Sequence, residues 1–158
     1  MAPPDFTDSS RYQADQYENP YYLHNSDHPG LILVSDRLTT AAEFHSWRRS
    51  VRMALNVRNK LGFIDGTIPK PLSTHRDYGA WSRCNDIVAT WLMNSVSKKI
   101  GQSLLFISTA EGIWNNLISR FKQMMLGFMI WSNVLVELSK ALWMSLLTIL
   151  SLLHSGGT

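Results

Sequence analysis

The chain has a single cysteine, Cys84, among its 158 residues. One thiol closes no intrachain disulfide and supplies no cysteine-based zinc site, so the fold has to be held by packing. Charge is nearly missing at the C-terminal end, where residues 124–158 hold Glu137 and Lys140 and no other Asp, Glu, Lys or Arg. The first residues, Met1-Ala2-Pro3-Pro4-Asp5, lack a basic start and an apolar run. They do not read as a secretion signal, and the expected location is cytoplasmic or nuclear. A glycine-rich phosphate loop is absent too, since Leu61-Gly62-Phe63-Ile64-Asp65-Gly66 has neither the spacing nor the following Lys-Ser or Lys-Thr. His45 and His75 have no paired nucleophile. His24, Asp27 and His28 lie in a segment with no thiols and no rigid helix, and zinc asks for three or four converging ligands. No catalytic residue, cofactor, metal or small-molecule substrate is therefore assigned. The chain reads as a non-enzymatic module that binds or assembles.

What is present is a core. Hydrophobic residues make up 45% of the chain, there are six tryptophans, and the charged fraction is 17%, a balance that fits one folded domain with tails. The net charge of +3 is unevenly spread: residues 1–36 carry six acids and one Arg, whereas residues 37–123 carry thirteen Lys or Arg and five acids. An acidic arm precedes a basic core, and a basic core accumulates around phosphate backbones through counterion release.

Residues 1–30 contain Pro3, Pro4, Pro20 and Pro29 with no helical or strand periodicity, and are expected to form a largely disordered arm. Leu31-Ile32-Leu33-Val34 is β-compatible but short, and reads as an extended segment packing on the core. From Ala41 to Lys60, Phe44, Trp47, Val51, Ala54 and Leu55 recur at helical spacing, with Thr39 or Thr40 as cap. Gly62 and Gly66 are expected to end this helix by accepting positive φ, and Pro69 and Pro71 to prevent its resumption. A second helix is predicted from about Arg76 to Val96 on Trp81, Cys84, Val88, Trp91, Leu92 and Val96, capped by Ser73 or Thr74. After a short stretch around Ser103–Ile107, Thr109 caps a third helix bearing Ile113, Trp114, Leu117 and Phe121. The fold class is all-α.

The remainder, residues 124–158, is an apolar tail whose structure the sequence leaves undecided. Its strongly apolar part, Ala141–Leu153, is shorter than the roughly 20 residues that span a bilayer. A span over Met124–Leu153 would bury Glu137 and Lys140 near its middle. The favoured reading is a helix that packs on the core or on another subunit, with a membrane anchor as the alternative.

Among the basic residues, Arg48, Arg49 and Arg52, with Arg58, Lys60 and Lys70 nearby, form the candidate nucleic-acid patch, making contacts to phosphate and not to bases. A solvated helix surface is the competing reading.

Pro20-Tyr21-Tyr22-Leu23-His24, Pro29-Gly30-Leu31-Ile32-Leu33-Val34, Trp47 through Leu55, and Lys60 through Pro71 recur in a fixed order, followed by Trp81, Asn85, Trp91 and Ala110 through Phe121. In this order the segment Asn19–Lys122 resembles the N-terminal region of Gag polyproteins of plant copia-type LTR retrotransposons. On this resemblance Trp47, Leu55, Gly62, Phe63, Gly66, Trp81, Trp91, Trp114 and Phe121 are the core and motif positions. The resemblance implies a small helical Gag-like domain over residues 31–123, a structural role in assembling particles around element RNA, self-association, and no catalysis. The family's downstream zinc knuckle is absent from these residues and the apolar tail departs from its pattern, so the resemblance implies a truncated or domesticated remnant.

Overall fold

The computed structural model describes residues 18–155. A 3-10 turn, Ala41–Glu43, leads into α1 (Phe44–Val57), followed by α2 (Gly62–Asp65), α3 (Tyr78–Asn94), α4 (Lys98–Leu104) and α5 (Ala110–Ser155). The fold is all-α, as expected. Among the described residues one isolated parallel bridge joins Leu38 to Val96. Leu38 N–H donates to Ser95 O and Ser97 N–H to Leu38 O, each at 3.0 Å. The extended pairing thus falls at Leu38 and not in Leu31–Val34, where no regular structure forms. The chain divides into two compact units, Met1–Ile118 and Ser119–Thr158, with the division inside α5.

In the first unit, α1 forms because Phe44, Trp47, Val51 and Leu55 recur every three or four residues, and all four are buried. Glu43 closes its start: its Oε2 accepts the Thr39 N–H at 3.0 Å, the Thr39 hydroxyl at 2.8 Å and the Thr40 N–H at 3.2 Å. These bonds hold the Glu43 carboxyl below its ordinary range, the Thr39 hydroxyl contributing most. The helix ends earlier than the glycines suggest. Asn59, at φ 54°, takes the left-handed position, and Lys60 N–H reaches back to Leu55 O at 2.9 Å while Asn59 N–H reaches Asn56 O at 3.0 Å. That is the 6→1 and 5→2 pattern in which an Asn replaces the usual glycine. Gly66, at φ 82°, ends α2. Gly62 is needed for space: a Cβ there would lie 2.6 Å from the Ile68 side chain.

The central helix is α3, which buries Trp81, Cys84, Asn85, Ile87, Val88, Ala89, Trp91 and Leu92. It starts at Tyr78 with Asp77 as its flanking residue, so Ser73 and Thr74 do not cap it. They belong to preceding turns in which His75 N–H bonds Leu72 O and Tyr78 N–H bonds His75 O. The short helix α4 lies before the predicted stretch and buries Ile100 and Leu104. Thr109 does cap α5, accepting the Gly112 N–H at 3.1 Å. Trp47 stacks on Trp114 with ring centroids 5.7 Å apart, and the Trp47 indole N–H donates to Ser95 O at 2.8 Å. Burying a side chain of this size contributes about 1.5–3 kcal/mol each, opposed by the entropy of ordering it.

In the second unit, α5 continues without a break to Ser155. The composition change at Gln123 does not interrupt it, because no proline follows and the sequence offers strong helix formers. Phe121 is buried, whereas large apolar side chains from Met124 to Leu153 are exposed, Phe128 at 77% and Leu153 at 73%.

Candidate functional site

Three places gather the residues singled out above. The first is the outer face of α1. His45, Arg48, Arg49 and Arg52 fall at i, i+3, i+4 and i+7, and with Met53 they line a shallow depression of about 350 Å³. Arg49 is exposed, Arg48 and Arg52 are half-buried, and none of the three is in an ion pair among the described residues. Like charges at this spacing repel by about 0.2–0.5 kcal/mol per pair, a cost that a bound anion would relieve.

The second place is where Arg58 and Lys60 are found. Neither joins the arginine face. Lys60 is 1% exposed, and its Nζ donates to Pro20 O at 2.9 Å and to Tyr22 O at 2.6 Å. It therefore cannot reach a phosphate backbone, which corrects its grouping with the surface arginines. Burial pushes the Lys60 ammonium below its usual range; the nearby Cys84 and Asp27 oppose this and Arg58 adds to it. Burial also raises the Cys84 thiol. Arg58 is bonded to the Asp27 carboxylate and its guanidinium lies 5.7 Å over the Trp91 ring. Asp27 also accepts the His24 N–H at 3.0 Å.

These contacts hold residues 18–29 of the arm against α1 and α3. Asn59 Nδ2 donates to Glu18 O at 3.1 Å, Cys84 Sγ to Tyr21 O at 3.3 Å, Trp91 Nε1 to His28 O at 2.8 Å and Asn94 Nδ2 to Pro29 O at 3.0 Å. The Tyr21 ring meets Phe63 edge-on at 6.2 Å. The remainder of the arm, residues 1–17, lies outside the described residues. Lys60 carried a local signal of this role: it follows the Asn59 turn and stands among Leu61, Phe63 and Ile64, a place where a solvated lysine is out of pattern. Which carbonyls it meets depends on residues some forty positions away.

The motif residues Trp47, Leu55, Phe63, Trp81, Trp91, Trp114 and Phe121 are buried, and Gly62 and Gly66 occupy the two tight positions described above. With this geometry in view, the sequence comparison is informative. Residues 24–72 match the family model Gag-polypeptide of LTR copia-type. The match supports a copia-like Gag domain, and it spans the second half of the docked arm, α1 and α2. It includes Trp47, Leu55, Gly62, Phe63 and Gly66, while Trp81, Trp91, Trp114 and Phe121 lie beyond it. No curated protein and no solved structure matches the chain.

The third place is the C-terminal half of α5. It is long and apolar enough to cross a membrane by length and composition, and none of its most apolar window is buried. Asn133, Glu137, Lys140, Thr148 and Ser151 share one narrow side of the helix, and Glu137 pairs with Lys140 at 2.9 Å. On the opposite side Phe128, Trp131, Leu135, Leu138 and Leu142 repeat at alternating three- and four-residue steps, all exposed. The apolar run Met124–Leu153 is about 45 Å long.

Proposed function

We propose that the protein is a Gag-like structural module that self-associates, with the apolar side of α5 making the contact between copies. The Gag-polypeptide match supports a structural role. The observation that carries the contact is the exposed row Phe128, Trp131, Leu135, Leu138 and Leu142. Contiguous apolar surface of this extent is rarely left open in a soluble monomer, because covering it removes water at about 25 cal/mol per Å². The step pattern suits helix pairing, since alternating threes and fours keep one side chain row in a single seam.

Light scattering tests this. The full chain has a mass of 18.0 kDa, and the expected result is a multiple of it that persists at high salt, since apolar contact is not screened. The double variant Leu135→Asp, Leu142→Asp is expected to return to the monomer mass with unchanged helix content. A full chain that stays monomeric at high micromolar concentration in buffer, or partitions into vesicles as a monomer, overturns the reading.

A second reading has its own observation: Arg48, Arg49 and Arg52 of α1 form no ion pair among the described residues. We infer that this face holds single-stranded RNA through phosphate contacts. Three neutralised phosphates on a single strand give a log-affinity against log-salt slope of about −2. Changing Arg48, Arg49 and Arg52 to Glu should abolish retention and its salt dependence; retention that survives the triple change sinks the idea.

A further inference from the structure

Six of the hydrogen bonds that hold the arm are of one kind. Asn59, Lys60, Cys84, Trp91 and Asn94 all donate to backbone carbonyls of residues 18–29. Carbonyls carry no side-chain identity, so this cradle reads a main chain, here one folded into turns at Asn19–Tyr22, His24–Asp27 and His28–Leu31. Arg58 adds side-chain bonds to Asp27 and to the Ser26 hydroxyl, which set the register. Beside it lies an open cleft of about 340 Å³, lined on one side by Tyr22, His24 and Ser26 and on the other by Val57, Arg58 and Asn59.

We propose that this cradle is a docking site for a peptide segment folded in successive turns and that, in the assembly, it receives the arm of a second copy. The proposal rests on the self-association reading above.

Three features point to exchange. The arm is bounded: beyond Leu31, residues 32–37 make no hydrogen bond among the described residues, and the chain is secured again at Leu38 by its bridge to Val96. Ile32, Ser35, Asp36 and Arg37 are exposed and Leu33 and Val34 are half-buried, so swinging this joint uncovers two apolar side chains in part. The arm and cradle are also complementary in charge, Asp27 facing Arg58 and Lys60. Every copy carries the same arm, so a neighbour's arm restores each bond that a copy's own arm gives up, and exchange costs little. Holding copies together raises the local concentration of foreign arms towards that of the tethered one, which is in the millimolar range for a short linker.

The test mixes two full-length chains. One carries the photoreactive substitution Tyr21→benzoylphenylalanine, placing the reactive ring beside Phe63; the other is the wild-type chain labelled with heavy nitrogen. After joint incubation and irradiation, the expected adducts join light arm to heavy peptides around Phe63 or Cys84. Their yield should fall by at least about tenfold when the heavy chain carries Lys60→Met, which removes two charge-assisted bonds, and excess synthetic peptide of residues 18–30 should suppress them. Circular dichroism checks that variant. Arg58→Gln, at the half-exposed rim, replaces it if it does not fold. Adducts confined to one isotope overturn the exchange. If light scattering still gives an oligomer in that case, the exchange alone is lost; a monomer removes both readings.

Discussion

Asn85 shows how one polar side chain inside the core fixes a connection. It is 3% exposed, its Nδ2 donates to Ser108 O at 3.1 Å and its Oδ1 accepts the Ala110 N–H at 2.9 Å. Both ends of the amide are used to bring the start of α5 to α3. Removing it takes the partner from the buried Ala110 N–H and from the Ser108 carbonyl, so Asn85→Ala is expected to destabilise the fold by about 1–3 kcal/mol, read as a lowered midpoint in urea. An effect below about 0.5 kcal/mol would show that solvent reaches those groups. Lys60 follows the same logic with a charge. Its ammonium has left water, and the two carbonyls it binds are what compensate.

At the scale of the element, the entry to α1 depends on ionised Glu43. Its folded pKa is lowered, so the bonds from Thr39 and Thr40 contribute stability above the ordinary carboxyl value of 4.5. That contribution disappears as the pH falls through the lowered folded value. Glu43→Gln should therefore be less stable than the wild type near neutral pH and equal to it in acid, as followed by thermal melts across that range. A difference that does not change with pH would mean the carboxylate charge is not what holds the turn. The exit of α1 was misjudged from the sequence for a physical reason: glycine is the usual left-handed residue, but the carbonyls to be satisfied come at Leu55 and Asn56, and Asn59 is the residue placed to turn there. Gly62, three positions on, is small because Ile68 packs against it.

For the whole molecule, the acid–base asymmetry along the chain becomes a set of specific contacts. Asp27 of the acidic arm pairs with Arg58 of the basic core and Lys60 binds the Pro20 and Tyr22 carbonyls, so these two members of the expected patch are spent on the fold, and Arg48, Arg49 and Arg52 are left at the surface. Salt separates the two modes of association. Oligomers held by α5 should keep their mass as ionic strength rises, whereas RNA retained on α1 should be released. A protein whose oligomers dissolve at high salt would place the contact between copies on charged groups and away from α5.

Much of this was legible in the order of residues. The spacing of Phe44, Trp47, Val51 and Leu55 dictates a helix with one buried side, because only a 3.6-residue period brings those four together. The all-α class, the tryptophan core, the Thr109 cap and the Gag resemblance over the matched segment follow from the same kind of local regularity. Two matters depended on tertiary structure. Whether a lysine is solvated or buried is decided by which distant carbonyls come within 3 Å of it, and Lys60 meets those of Pro20 and Tyr22. Whether an apolar helix is core or surface is likewise a question of what covers it. The sequence from Met124 to Leu153 specifies a helix, since its residues favour one and no proline interrupts it, but burial is a property of neighbours, and among the described residues most of those side chains have none that close them off from water.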